Sequence, residues 1–128
     1  MVGHTLVVVH GVTHPNDTDW EIYLDALRRN LDVVHSQLVV TDGGSPNSAQ
    51  RKASLQVAAG RWDKTPPTAV VTSAVLARGA VTALSWFLKD RIRAFALAEF
   101  DEACVFIGAS SEKAVLREAA TRLRATLP

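Results

Sequence analysis

The amino-acid sequence predicts an α/β domain with a mainly parallel four-stranded sheet flanked by about five helices. Three observations carry that expectation. Short runs of β-branched residues alternate with longer stretches of helical period. Each run is followed by residues that start helices. The strongest runs are apolar throughout, as in strands covered on both faces. Strand–helix alternation requires crossover connections, and these impose parallel pairing with helices packed on the sheet.

The strands are expected at Leu6-Val7-Val8-Val9, Leu38-Val39-Val40-Thr41, Thr68 to Thr72 and Ile92 to Ala96. The last alternates apolar and polar residues and suits an edge. Thr18 and Glu21 have the spacing of a capping box, ahead of Trp20, Leu24, Leu27 and Leu31 on one helical face. Ser45 is the expected cap of a second helix, with Pro46 at its first position and an end near Gly60. Ser73 is the expected cap of a third, carrying Leu76, Ala80, Ala83 and Phe87. Phe100 or Asp101 opens a short fourth that Gly108 stops. A fifth begins near Ser111, with Leu116, Ala120, Leu123 and Leu127 in one stripe.

Composition narrows the function classes. At 128 residues the chain has the size of one domain, residues 1–128. A chain of this size buries roughly two-thirds of its unfolded surface, so it needs no metal or disulfide to fold. With 14 basic and 13 acidic side chains there is no basic excess to bind nucleic acid. A single cysteine excludes an internal disulfide and any multi-cysteine zinc site. No apolar stretch approaches the roughly 20 residues of a membrane span. The opening Met1 to Thr5 shows no basic region or cleavage pattern, so the cytoplasm is the expected compartment.

In open α/β sheets ligands gather where strands end and helices begin. Four segments would share that rim: His10 to Asp17, Asp42 to Ser48, Thr72 to Arg78, and Glu99 to Asp101. The second holds Asp42, Gly43, Gly44, Ser45 and Ser48. Its glycines allow a sharp turn or a close approach, and the amides of the following helix attract anions. A phosphate on one of its serines would meet the positive end of a helix dipole. The plainer reading is an ordinary βα turn with Ser45 as its cap. Arg78 lies one turn into the third helix, either as a contact for an anion at Ser45 or Ser48 or as a solvated helix arginine.

Several chemistries fail on spacing. No Gly-Lys-Ser/Thr follows the glycines, which excludes a Walker loop, and their spacing misses the dinucleotide fingerprint. His10-Gly11 resembles the oxyanion strand of α/β-hydrolases, but there is no Gly-x-Ser-x-Gly elbow, and His35 is the last histidine. His10 and His14 with Asp17 and Asp19 fix no third metal ligand, so neither a metal nor another cofactor is expected. His4 and His35 read as strand-edge residues, and Cys104 as a small buried apolar residue. Trp20, Trp62 and Trp86 read as packing against the sheet.

From Val70-Val71-Thr72-Ser73-Ala74-Val75 through Arg78, Ala83 to Leu88, Ile92 to Phe95 and Asp101-Glu102-Ala103, the second half resembles the STAS domain of anti-sigma factor antagonists. The likeness covers roughly residues 36–108. Thr41-Asp42-Gly43, Pro46 and Gln50-Arg51 are similar to the SpoIIAA-like, STAS/Sec14-related branch of small bacterial proteins. The resemblance implies a STAS/SpoIIAA-like fold, with residues 110–128 as a C-terminal helical extension. It also implies a loop in which an aspartate precedes a phosphorylatable hydroxyl. Asp42 matches that aspartate, but Gly43 follows it, leaving Ser45 and Ser48 as the hydroxyls at hand.

The expected function is therefore a non-enzymatic signalling module with no catalytic residues. It would bind a regulatory protein partner, such as an anti-sigma-like kinase, through Asp42, Gly43, Gly44, Ser45, Ser48, Ser73 and Arg78. The alternative is a small-ligand or lipid binder of the Sec14-related kind, which needs an apolar pocket. An enzyme using His10, His14, Asp17 and Asp42 lacks a visible nucleophile–base pair. Homo-oligomerisation through the edge strand near Ile92 or the last helix is the remaining possibility.

Overall fold

A parallel sheet is stable only when both faces are covered, and the strands here are apolar enough to require it. The computed structural model of the protein describes residues 1–13, 15–44, 46–58, 66–73 and 91–127. Its strands are β1 (Thr5–His10), β2 (Ser36–Thr41), β3 (Thr68–Thr72) and β4 (Ile92–Phe95). They form one sheet in the order β1-β2-β3-β4, and every pair is parallel. Each lies within two residues of its expected position, and β4 is an edge.

Four α-helices fall among the described residues: α1 (Asp17–Asn30), α2 (Ser48–Ala58), α3 (Phe100–Phe106) and α4 (Lys113–Ala125). About five were expected, and the one assigned to follow Ser73, with Trp86, lies outside the described residues, as does Trp62. Because β1, β2 and β3 follow one another in sequence order, right-handed crossovers carry α1 and α2 to a single face. Leu27, Leu31 and Val34 at the end of α1, with Val57 and Ala58 of α2, accordingly pack on Leu6 and Val8. After β4 the chain passes to the other face. There Phe100, Ala103 and Cys104 of α3, with Leu116 and Ala120 of α4, close over Leu38, Val40, Ala69, Val71 and Phe95.

The caps of α1 and α2 differ from the sequence expectation in an instructive way, whereas α3 starts at Phe100 as expected. Helix α1 is capped by Asn16, whose Oδ1 accepts a hydrogen bond from the Asp19 amide at 2.7 Å, and not by Thr18. This start places Asp17 and Asp19 in the first turn, where their charge suits the dipole. The expected face of Trp20, Leu24, Leu27 and Leu31 is buried throughout. Helix α2 is capped by Asn47 rather than Ser45: its Oδ1 accepts from the Gln50 amide at 2.8 Å, and Gln50 Oε1 accepts from the Asn47 amide at 2.9 Å. That reciprocal pair is a capping box.

Helix α3 stops where expected. Gly108 takes φ 74°, Ala109 donates to the Cys104 carbonyl at 2.8 Å and Gly108 to the Val105 carbonyl at 3.0 Å, a Schellman ending. Cys104 is fully buried, and burial, with Asp101 nearby, pushes its thiol pKa up. In α4 the stripe divides: Leu116 and Ala120 are buried, whereas Leu123 is exposed and Leu127 half-buried near Gly11. No described helix is long and apolar enough to cross a membrane.

Leu116 is completely buried between α4 and the sheet. Leu116→Ala is expected to cost about 2–5 kcal/mol in urea unfolding. A loss below about 1 kcal/mol would mean that the last helix contributes little to the core.

Candidate functional site

The parallel register brings three strand ends into one row, with His10 opposite Thr41 and Thr41 opposite Thr72. Of the rim expected from the sequence, His10, Thr41 with Asp42, and Thr72 with Ser73 fall together at these strand ends, while residues 74–78 lie outside the described residues. Because the strand order never reverses, no topological switch point parts it into a crevice. The loops after β1 and β2 are instead locked together.

The lock begins at Thr41. Its hydroxyl donates to the Gly44 carbonyl at 2.6 Å and accepts from the Gly43 amide at 3.1 Å, tying up the turn after β2. The two glycines have separate tasks. Gly43 supplies φ 124°, where a side chain is disfavoured. Gly44 supplies proximity: its amide donates to the Gly11 carbonyl at 2.8 Å, and a Cβ there would stand 2.0 Å from the Thr13 carbonyl oxygen. The Asp42 amide donates to the His10 carbonyl at 3.1 Å, continuing the sheet by one bond.

Gln50 secures the same two loops from below. Its side chain is buried, and Nε2 donates to the Pro15 carbonyl at 2.8 Å and to Asp17 Oδ1 at 3.3 Å. Its carbonyl accepts from Trp20 Nε1 at 2.9 Å. One residue thus joins the cap of α2 to the start of α1. Trp20 also stacks with His10, their ring centroids 6.2 Å apart. Burial holds the His10 pKa below its ordinary value, so the ring is neutral at pH 7.

Three charged side chains, Asp42, Arg124 and Arg51, stand over this frame. The half-buried Asp42 carboxylate accepts from Arg124 Nη2 of α4 at 2.7 Å, across 82 residues of sequence. Ser48, the first residue of α2, is exposed. Its Oγ accepts from Arg51 Nη2 at 3.2 Å, while Arg51 Nη1 donates to the Pro46 carbonyl at 2.9 Å.

Of the expected site residues, Asp42, Gly43, Gly44 and Ser48 lie along this loop, and Ser73 is exposed just beyond β3. Ser45 and Arg78 lie outside the described residues, and so does their expected juxtaposition. His14 does too, and among the described residues no group of three or more His, Cys, Asp or Glu is placed to hold a metal ion. His4 and His35 stack at the opposite end of the sheet, with centroids 4.4 Å apart. Sequence reasoning missed Arg124 and the structural task of Gln50. The spacing Asn47-x-x-Gln50 is the signal that would have found the latter. In comparisons with known proteins, no family model, curated protein or solved structure matches the chain.

Gly44→Ala forces a Cβ into the backbone of the neighbouring loop, and a loss of about 3 kcal/mol is expected in urea unfolding. An unchanged midpoint would show that the loops are not interlocked. His10 sets a pH dependence whose sign follows from linkage. The unfolded chain takes up a proton near pH 6.5 and the folded one only at lower pH, so stability falls as pH drops below 6.5 through the folded value. Unfolding curves between pH 8 and pH 5 should show a shallower fall for His10→Gln than for the wild type.

Proposed function

We propose that the chain is a signalling or regulatory protein-binding module of the STAS, SpoIIAA-like kind, which docks a partner protein through the rim after β2. A phosphate on a serine of the 42–48 loop regulates that docking. The observation that carries this reading is Ser48, an exposed hydroxyl at the start of α2 with the Arg51 guanidinium 3.2 Å from its oxygen. A phosphate there adds about two negative charges and three acceptor oxygens beside a cation and the positive end of a helix. The all-parallel α/β architecture is compatible with the reading.

The loop suits a switch for a further reason. Its own acid, Asp42, is already matched by Arg124, so a phosphate on the loop does not add to an unpaired carboxylate. The turn is also held by Thr41, Gly44 and Gln50, which keeps it in one shape for a partner to recognise. A rigid loop loses little entropy on docking.

Incubation with serine kinases encoded in the same genome, followed by mass spectrometry, tests the reading. Phosphate is expected on Ser45 or Ser48, and Ser48→Glu is expected to weaken capture of the partner that Ser48→Ala retains. Modification confined to positions outside 42–48 rejects the switch.

A further inference from the structure

On the face covered by α3 and α4, the packing leaves an open cavity of about 180 Å³. Val40 and Val71, near the ends of β2 and β3, line it together with Leu97 and Phe100. Helix α4 supplies the rest. Arg117, Thr121 and Arg124 stand at i, i+4 and i+7, which is one helical face. A helix lying on a sheet ordinarily presents apolar residues. Leu116 and Ala120 do so here, but the neighbouring column carries two guanidinium groups, the only charged groups among the described residues of the lining.

The two arginines differ. Arg117 donates to Asp101 at 3.0 Å and lies over the Phe100 ring, 4.9 Å from its centroid, so it is fixed as part of the wall. Arg124 reaches Asp42 through Nη2. A guanidinium carries five N–H donors, so this contact leaves others for an anion in the cavity.

We infer that this cavity binds a small carboxylic acid with an aromatic or branched apolar body, the body resting on Val40, Val71, Leu97 and Phe100 and the carboxylate on Arg124. Size sets the class, since an apolar cavity of about 150 Å³ holds a benzene ring. At about 180 Å³ there is room for one ring or one branched chain, and not for a phospholipid. Charge sets the head group: the charged side chains in the lining are guanidinium groups, each paired with a carboxylate outside it (Asp101 and Asp42), and Arg124 keeps N–H donors for an ionised acid. Asp42 competes for the same guanidinium, which makes binding weak and couples occupancy to the turn after β2. The inference rests on the cavity and Arg124 alone, and would stand if Ser48 carried no phosphate.

A titration followed by ¹⁵N–¹H NMR, with phenylacetate and its neutral analogue phenylacetamide, tests it. Phenylacetate should shift the amides of Val40, Val71, Phe100 and Thr121 with a Kd of about 0.1–1 mM, as fits a ligand of about ten heavy atoms. Phenylacetamide should bind about tenfold more weakly, and Arg124→Gln should bring the acid down to the amide's level. Asp42→Asn should raise affinity for the acid several-fold by removing the competitor. Thr121→Phe, an exposed position on the cavity wall, should abolish binding of both without unfolding the protein. No shift at these residues by about 10 mM phenylacetate overturns the inference. So does equal binding of acid and amide that ignores Arg124→Gln, or an Asp42→Asn variant that binds the acid less well.

Discussion

A buried side-chain amide holds the rim of this molecule together. Gln50 caps its own helix through Asn47, donates into the loop that starts α1 and, through its backbone carbonyl, accepts from the Trp20 indole. Burying an amide is unfavourable unless its hydrogen bonds are made, and leaving one buried group unpaired costs about 1–3 kcal/mol. The environment therefore selects a single arrangement of the two loops. With the loops joined, the Gly44 backbone can sit against Gly11 and Thr13, and the Asp42 carboxylate is directed to the helix that closes the opposite face.

The strands and the covered faces were legible in the sequence because they depend on local pattern. Continuous apolar runs marked β1, β2 and β3 as doubly covered, and the stripe from Trp20 to Leu31 marked the buried side of α1. The helix starts were less legible. Several polar residues stand before each helix, and every one of them can cap. Thr18 and Ser45 matched the general preference, whereas Asn16 and Asn47 hold the caps. In the second case the deciding partner was Gln50, which was read only as part of a family-like motif. A capping box is reciprocal, and both halves must be found before either is assigned.

The contact between Asp42 and Arg124 was not legible at all. Eighty-two residues separate the two, and nothing in the spacing of either points to the other. The pair exists because the last helix crosses the sheet and ends beside the turn after β2, a consequence of topology. The leucine stripe of α4 was read as continuous, yet only its first half is buried. Ala120 stays buried against the sheet, while beside it Arg117, Thr121 and Arg124 form a polar column that lines the open cavity.

The half-exposed pair contributes little stability, on the order of 0–1 kcal/mol. Its importance is positional. A carboxylate in the turn and a guanidinium on the last helix are the two ends of one contact, so anything that engages either end alters the other. A partner protein that took Asp42, as proposed, would free Arg124 for an anion in the cavity. An acid that took Arg124 would leave Asp42 without this partner on the rim after β2. A contact that costs little to break serves this exchange better than a strong one would, because a buried ion pair worth several kcal/mol would resist ligands of ordinary affinity. A bond this weak is what the proposed coupling between rim and cavity would require.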